Sequence, residues 1–77
     1  MTILKKLRSN RGMSQKELAD KSGVKVRVIQ HYEQGSRDLN HARLDTIMRI
    51  ALALDCAVID IIDDPEFLEL IENVRIK

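Results

Sequence analysis

The sequence predicts a small all-α domain of five helices with a short C-terminal extension. Apolar residues recur at helical spacing along most of the 77 residues, and the alternating pattern of strands is nearly absent. Aromatic residues make up only 3% of the chain, so the core must be aliphatic. The length allows one domain at most. We expect residues 1–63 to form it and residues 64–77 to pack on its core or at a dimer interface.

The first helix is expected to follow Thr2, a good capping residue. Ile3, Leu4 and Leu7 then lie on one face of the helix, and Gly12 is a natural stop.

The second helix has a strong start signal. Ser14 and Glu17 have the spacing of a capping box, and Met13 and Leu18 occupy the two positions of a hydrophobic staple. Gly23 is able to take a left-handed backbone and marks the end of this helix.

The third helix is predicted from about Lys25 to Gln34, with Gly35 as its stop. Two short helices that cross at a steep angle need a small residue at the contact, a glycine in the turn and apolar residues in the angle. The chain supplies this set as Ala19, Gly23, Leu18, Val24, Ile29 and Tyr32.

Three further segments complete the prediction. Asn40 is a plausible cap for a fourth helix, which is apolar almost all round and is therefore expected to be central. A short fifth helix is predicted to carry Val58, Ile59, Ile61 and Ile62. Pro65 favours a helical start for the tail, although the alternation over residues 74–77 leaves a terminal strand open.

Two strings in the chain resemble those of a known family. Ser14-Gln15-Lys16-Glu17-Leu18-Ala19 and Tyr32-Glu33-Gln34-Gly35 are similar to the strings of the Cro/CI (XRE)-type helix-turn-helix regulators, and the resemblance covers about residues 2–63. It implies a lambda-repressor-like fold and a dimer on a two-fold symmetric DNA site. In the family, the third helix enters the major groove of double-stranded DNA and the second straddles the backbone.

Within this resemblance, position on the helices assigns the DNA contacts. The outward face of the third helix is predicted to read bases through Val26, Arg27, Gln30 and His31. Arg27 is the favoured base-contacting residue, because the N–H groups of its guanidinium match the two hydrogen-bond acceptors of guanine. The DNA backbone is predicted to be contacted by Ser14, Gln15, Lys16, Lys25, Gln34, Ser36 and Arg37.

Some residues depart from the family pattern, among them Lys25 and Asp55. Lys25 stands where a serine or threonine cap is common, which weakens the cap and puts a cation at the positive end of the helix. Asp55 stands where many relatives have glycine, although aspartate tolerates a left-handed backbone better than most residues.

Charge divides the chain into two halves. Residues 1–37 carry nine basic and three acidic side chains, whereas residues 38–77 carry four basic and nine acidic ones. Such asymmetry is consistent with a basic half that meets a polyanion, and also with two solvated surfaces without a partner.

Other functional classes find little support in the sequence. His31, His41 and Cys56 are too few and too dispersed for a metal site, and Cys56 is expected to pack as a small hydrophobe. We therefore expect no enzyme activity, no cofactor and no metal. The lack of a secretory leader or a long apolar run argues for a cytoplasmic protein without membrane contact.

The apolar residues of the second half exceed what so small a chain easily buries. This excess predicts a homodimer interface, formed by Ile59, Ile62, Phe67, Leu68 and Ile71. The most economical function is a dimeric transcriptional repressor. The alternative is an antitoxin-type protein-binding module, which holds a basic protein partner through its acidic C-terminal half and autoregulates through the same DNA-binding motif.

Overall fold

The computed structural model describes residues 2–74, and within this range the chain forms five α-helices and no strand. The α-helices are α1 (Ile3–Asn10), α2 (Gln15–Ser22), α3 (Val26–Gln34), α4 (Leu44–Ala53) and α5 (Pro65–Val74). Two 3₁₀ turns, Leu39–His41 and Val58–Asp60, precede α4 and α5 respectively. The predicted all-α fold class is confirmed.

The first three helices begin and end where local sequence signals place them. Thr2 accepts a hydrogen bond from the Lys5 backbone N–H at 3.3 Å and so caps α1. Gly23 and Gly35 end α2 and α3 with left-handed backbones of φ 73° and 81°, which glycine adopts without steric cost.

Two boundaries predicted from the sequence are wrong. Asn40 does not cap the fourth helix, because it lies inside a 3₁₀ turn and Arg43 is the residue that precedes α4. The predicted short fifth helix is only the 3₁₀ turn Val58–Asp60, in which the Asp60 carboxylate accepts from the Ala57 N–H at 2.9 Å. The tail forms α5 as far as Val74; the rest of the proposed strand lies outside the described residues.

The core is aliphatic and has α4 at its centre. The side chains of Leu18, Ile29, Ile50 and Leu54 are fully buried. Each buried side chain of this size contributes roughly 1.5–3 kcal/mol relative to an exposed one. The apolar stripe of α4 is narrower than predicted, since Leu44, Met48 and Leu52 are exposed.

The end of α4 shows how the chain turns without glycine. Asp55 has a left-handed backbone with φ 53°, and its N–H donates to the Leu52 carbonyl at 3.1 Å. The Cys56 N–H donates to the Ala51 carbonyl at 3.0 Å, which completes a Schellman motif. This turn sends the chain back towards the core for the second 3₁₀ turn and α5.

Candidate DNA-binding surface

The helix α2 begins with the capping box that the sequence predicts. The Glu17 N–H donates to Ser14 Oγ at 3.0 Å, and the Ser14 N–H donates to Glu17 Oε1 at 3.1 Å. The Ser14 N–H, and next its hydroxyl, hold the pKa of the Glu17 carboxyl below its ordinary value. This box fixes Ser14, Gln15 and Lys16 at the first turn, where backbone N–H groups favour an anion.

The turn between α2 and α3 is closed by a buried serine. Ser22 is buried, and its Oγ accepts from the Val24 N–H at 3.1 Å. The helix α3 then starts after Lys25 without a side-chain cap, as the departure at this position suggests. Its first N–H groups are therefore available to an external acceptor such as a phosphate.

The helix α3 has one face in the core and one in solvent. Ile29 and Tyr32 are buried. The four predicted base-contacting residues lie together on the other side: Val26, Arg27 and Gln30 are exposed, and His31 is partly exposed. This arrangement matches the division that the helical spacing predicts, and it presents a cation, an amide, an imidazole and an apolar group together.

A chain of hydrogen bonds connects this exposed face to the interior. Arg8 donates from Nε and Nη2 to the two carboxylate oxygens of Glu33, at 2.7 and 3.0 Å. Gln15 Nε2 donates to Glu33 Oε1 at 3.1 Å, and Gln30 Nε2 donates to Gln15 Oε1 at 3.4 Å. The buried Arg8–Glu33 ion pair thus orients the side chain of Gln15, and Gln15 orients that of Gln30.

The loop after α3 is held against the last turn of that helix. The Arg37 N–H donates to the His31 carbonyl at 3.2 Å, and Ser36 Oγ donates to the same carbonyl at 3.3 Å. The Ser36 hydroxyl also lies 2.8 Å from His31 Nδ1. Gln34, Ser36 and Arg37 are all exposed beside the outward face of α3. The predicted phosphate-contacting loop is therefore contiguous with the predicted base-contacting residues.

Two further arginines, which no sequence motif marks, line a groove beside this loop. Arg37, Arg43 and Arg49 border one groove between α3 and α4, together with Asp45. Asp45 lies 3.2 Å from Arg43 Nε and 3.7 Å from Arg49 Nε. The sequence predicts that the fourth helix begins at Asn40. For this reason it does not predict that Arg43 lies at the start of α4.

The predicted dimer residues divide into three groups by their exposure. Ile62 and Ile71 are only 2% and 3% exposed, because both belong to the core of a single chain. Phe67 and Leu68 are partly buried against the same core. Ile59 is 47% exposed and remains free to meet a second chain.

Among residues 2–74, no group of three or more histidine, cysteine or acidic side chains has a geometry that could hold a metal ion. Cys56 packs partly buried against the core, and this burial raises the pKa of its thiol. No helix of this part of the chain is long and apolar enough to cross a membrane.

Taken together, a capped helix, a tight glycine turn and a second helix with an exposed polar face define a helix-turn-helix unit. A family model described as helix-turn-helix matches residues 4–61. The chain therefore belongs to this family of the Cro and repressor type, and it is a DNA-binding regulator of transcription. No curated protein and no solved structure matches it.

Proposed function

We propose that this protein is a dimeric repressor that reads the major groove of double-stranded DNA with α3. The observation that carries the proposal is the shared outward face of Val26, Arg27, Gln30 and His31. Within it, Gln30 is oriented by its hydrogen bond to Gln15, which in turn donates to the buried Glu33. An α-helix fits the major groove, where each base pair presents a distinct pattern of donors and acceptors.

Contacts to the DNA backbone fix the register of that helix. The residues proposed for this role flank it on both sides: Ser14, Gln15 and Lys16 at the start of α2, Lys25 before α3, and Gln34, Ser36 and Arg37 after it. Phosphate contacts of this kind orient a protein on the duplex and supply most of the salt-dependent affinity.

Selection of bound duplexes from a random DNA pool at near-physiological salt tests this proposal. We expect enrichment of a two-fold symmetric site whose half-sites lie about one helical turn, ~34 Å, apart. Binding without enrichment, lost as salt rises, would show phosphate attraction alone and would contradict sequence-specific repression.

The dimer is proposed to form around Ile59, with Phe67 and Leu68 at its margin. Ile59 is exposed, and Phe67 and Leu68 are only partly buried, so these three side chains keep apolar area that a second copy can cover. Sedimentation equilibrium of Ile59→Glu is expected to show weaker association than that of the unmodified chain. Leu52→Glu is the matched control, because Leu52 is 82% exposed and lies on α4. If only Leu52→Glu weakens association of the two copies, the dimer interface lies on α4 and not at Ile59.

In this proposal residues 1–63 form the DNA-binding domain, and residues 64–77 form an extension that packs on its core or at the dimer interface. Repression would follow from occlusion of a promoter. The protein would act in the cytoplasm.

The second candidate function is the antitoxin-type module. The observation that favours it is α5, where Leu70 and Val74 are exposed beside Glu66, Glu69 and Glu72. A helix with exposed apolar and acidic side chains suits a basic protein partner. A stoichiometric basic protein that co-purifies with the chain and is released by Leu70→Glu would favour this function over the plain repressor.

A further inference from the structure

The side chain of Asn40 joins two segments that are distant in sequence. Its Nδ2 donates to Asp38 Oδ1 and to Asp63 Oδ1, both at 2.8 Å. Its Oδ1 accepts from the backbone N–H groups of Asp63 and Asp64, at 3.0 and 3.1 Å. An asparagine amide has two N–H donors and two acceptor lone pairs, so all four are occupied here.

One side of this joint is the loop that follows α3. Asp38 Oδ1 also accepts from the Asn40 backbone N–H at 3.0 Å, which closes a tight local turn. Arg37 therefore lies between two fixed points. Its own N–H is bonded to the His31 carbonyl at 3.2 Å, and the residue after it is held by Asn40.

The other side of the joint is the start of α5. Asp64 Oδ1 accepts from the Glu66 N–H at 2.9 Å, and the Asp64 carbonyl accepts from the Leu68 N–H at 2.9 Å. Asp64 thus behaves as the cap of α5. Asp64 is the first residue of the extension, and Asn40 lies within residues 4–61 that the family model matches, so this contact connects the extension to the family domain.

The amide of Asn40 is also suited to the local charge. Asp38 and Asp63 would repel each other if they approached alone, whereas the Asn40 amide donates one hydrogen bond to each carboxylate. The same amide, and next the Asn40 backbone N–H, hold the pKa of the Asp38 carboxyl below its ordinary value. The Asn40 amide therefore stabilises the Asp38 and Asp63 carboxylates next to the loop that carries the exposed Arg37.

We propose that Asn40 is a positioning residue for DNA binding, which fixes the Ser36–Arg37 loop by tying it to the start of α5. The proposal rests on the proposed DNA-backbone role of that loop. In this proposal the start of α5 helps to hold the phosphate-contacting loop in place. Asn40 itself need not touch DNA.

The test compares Asn40→Ala with the control Asn73→Ala, an exposed asparagine on α5. With a random-sequence duplex as probe, Asn40→Ala is expected to weaken binding about three- to tenfold, the effect of losing one or two ordering hydrogen bonds. Hydrogen exchange at the Arg37, Asp63 and Asp64 amides should become faster. Asn73→Ala should change neither readout.

A double-mutant cycle separates positioning from a general loss of stability. If Asn40 acts through Arg37, then Asn40→Ala should weaken binding much less in the Arg37→Ala background. Full additivity, or unchanged binding by Asn40→Ala, would overturn the proposal. If Asn40→Ala does not fold, Asp63→Ala removes a single acceptor and is expected to give a smaller loss of the same kind; unchanged binding by that variant would overturn it equally.

Failure of the proposed function would look different. If Arg37→Ala itself leaves binding unchanged, the loop does not contact DNA. Faster exchange at the Arg37 amide in Asn40→Ala would then still show that the joint holds the loop, without a role in DNA binding.

Discussion

The Arg8 guanidinium and the Glu33 carboxylate form a two-bond ion pair, with distances of 2.7 and 3.0 Å, that joins α1 to α3. The Glu33 side chain is only 3% exposed and that of Arg8 13%. The hydrogen bond to Glu33 is the largest cause that raises the pKa of Arg8 above its ordinary value. Arg8 Nη1 also donates to the Met13 carbonyl at 2.7 Å, so one guanidinium fixes both the start of the helix-turn-helix and its end.

Removal of one partner of this pair should be severe. Glu33→Ala leaves the Arg8 charge buried and unpaired, and we expect the free energy of unfolding to fall by about 3–5 kcal/mol. Urea denaturation followed by circular dichroism measures the change. The double variant Arg8→Met/Glu33→Leu should recover much of the loss, because no uncompensated charge remains. A loss below ~1 kcal/mol for Glu33→Ala would show that the pair is solvated and structurally minor.

Arg27→Ala should change which sequences are bound. If Arg27 contacts guanine through a bidentate pair, its loss removes ~1–3 kcal/mol of discrimination at one position of each half-site. Repeating the selection from a random pool with the variant shows the effect as a relaxed preference at that position. An unchanged selected sequence would exclude Arg27 as a base reader.

Arg37→Ala should weaken all duplexes alike. A phosphate contact carries no sequence information, so the salt slope of binding should fall by ~1 while the selected sequence stays the same. Lys6→Ala is the matched control, since this exposed cation on α1 is outside the predicted contact set. A loss confined to particular sequences would contradict the phosphate assignment.

Asp55→Gly is expected to stabilise the protein. A left-handed backbone is strained by roughly 1–2 kcal/mol in a non-glycine residue, somewhat less in aspartate, and an acid is unfavourable at the negative end of a helix. Thermal unfolding should therefore show a higher midpoint for the glycine variant. Asp55→Asn separates the two causes, because it removes the charge and keeps the side chain. A lower midpoint for Asp55→Gly would show that glycine's greater loss of conformational freedom dominates.

Acid should weaken the start of α2. The pKa of Glu17 is lowered in the folded protein, so its contribution is present above its ordinary value of 4.5 and is lost as the pH falls through the folded pKa. Glu17→Gln keeps an acceptor for the Ser14 N–H without a titrating group. It should be less stable than the unmodified chain at neutral pH, and this difference should vanish in acid. A constant difference between the two across the acid range would contradict the assignment.

The parts of the structure that the sequence predicts best are those fixed by neighbours in the chain. The capping box of Ser14 and Glu17 and the left-handed Gly23 and Gly35 depend on residues within one or two turns, so their signals are local. Asn40 was misread because its partners, Asp63 and Asp64, lie 23 and 24 residues away.

Tertiary packing explains the remaining differences at the candidate site and interface. The spacing of Ile62 and Ile71 fits an exposed apolar stripe and a buried one equally well. Both side chains are buried in the structure, which depends on where α5 packs. The groove that unites Arg37, Arg43 and Arg49 likewise depends on where α4 begins. The outward face of α3 was predictable because its other face is occupied by Ile29 and Tyr32.

The hydrogen bonds that connect Glu33, Gln15 and Gln30 constrain how the DNA specificity of such a protein can change in evolution. A substitution at Gln30 also removes a partner of Gln15, which is bonded to the buried Glu33. The exposed Arg27 side chain forms no hydrogen bond to the described part of the chain. Descendants that acquire new operators are therefore expected to vary first at position 27, while positions 15 and 30 change together or stay fixed.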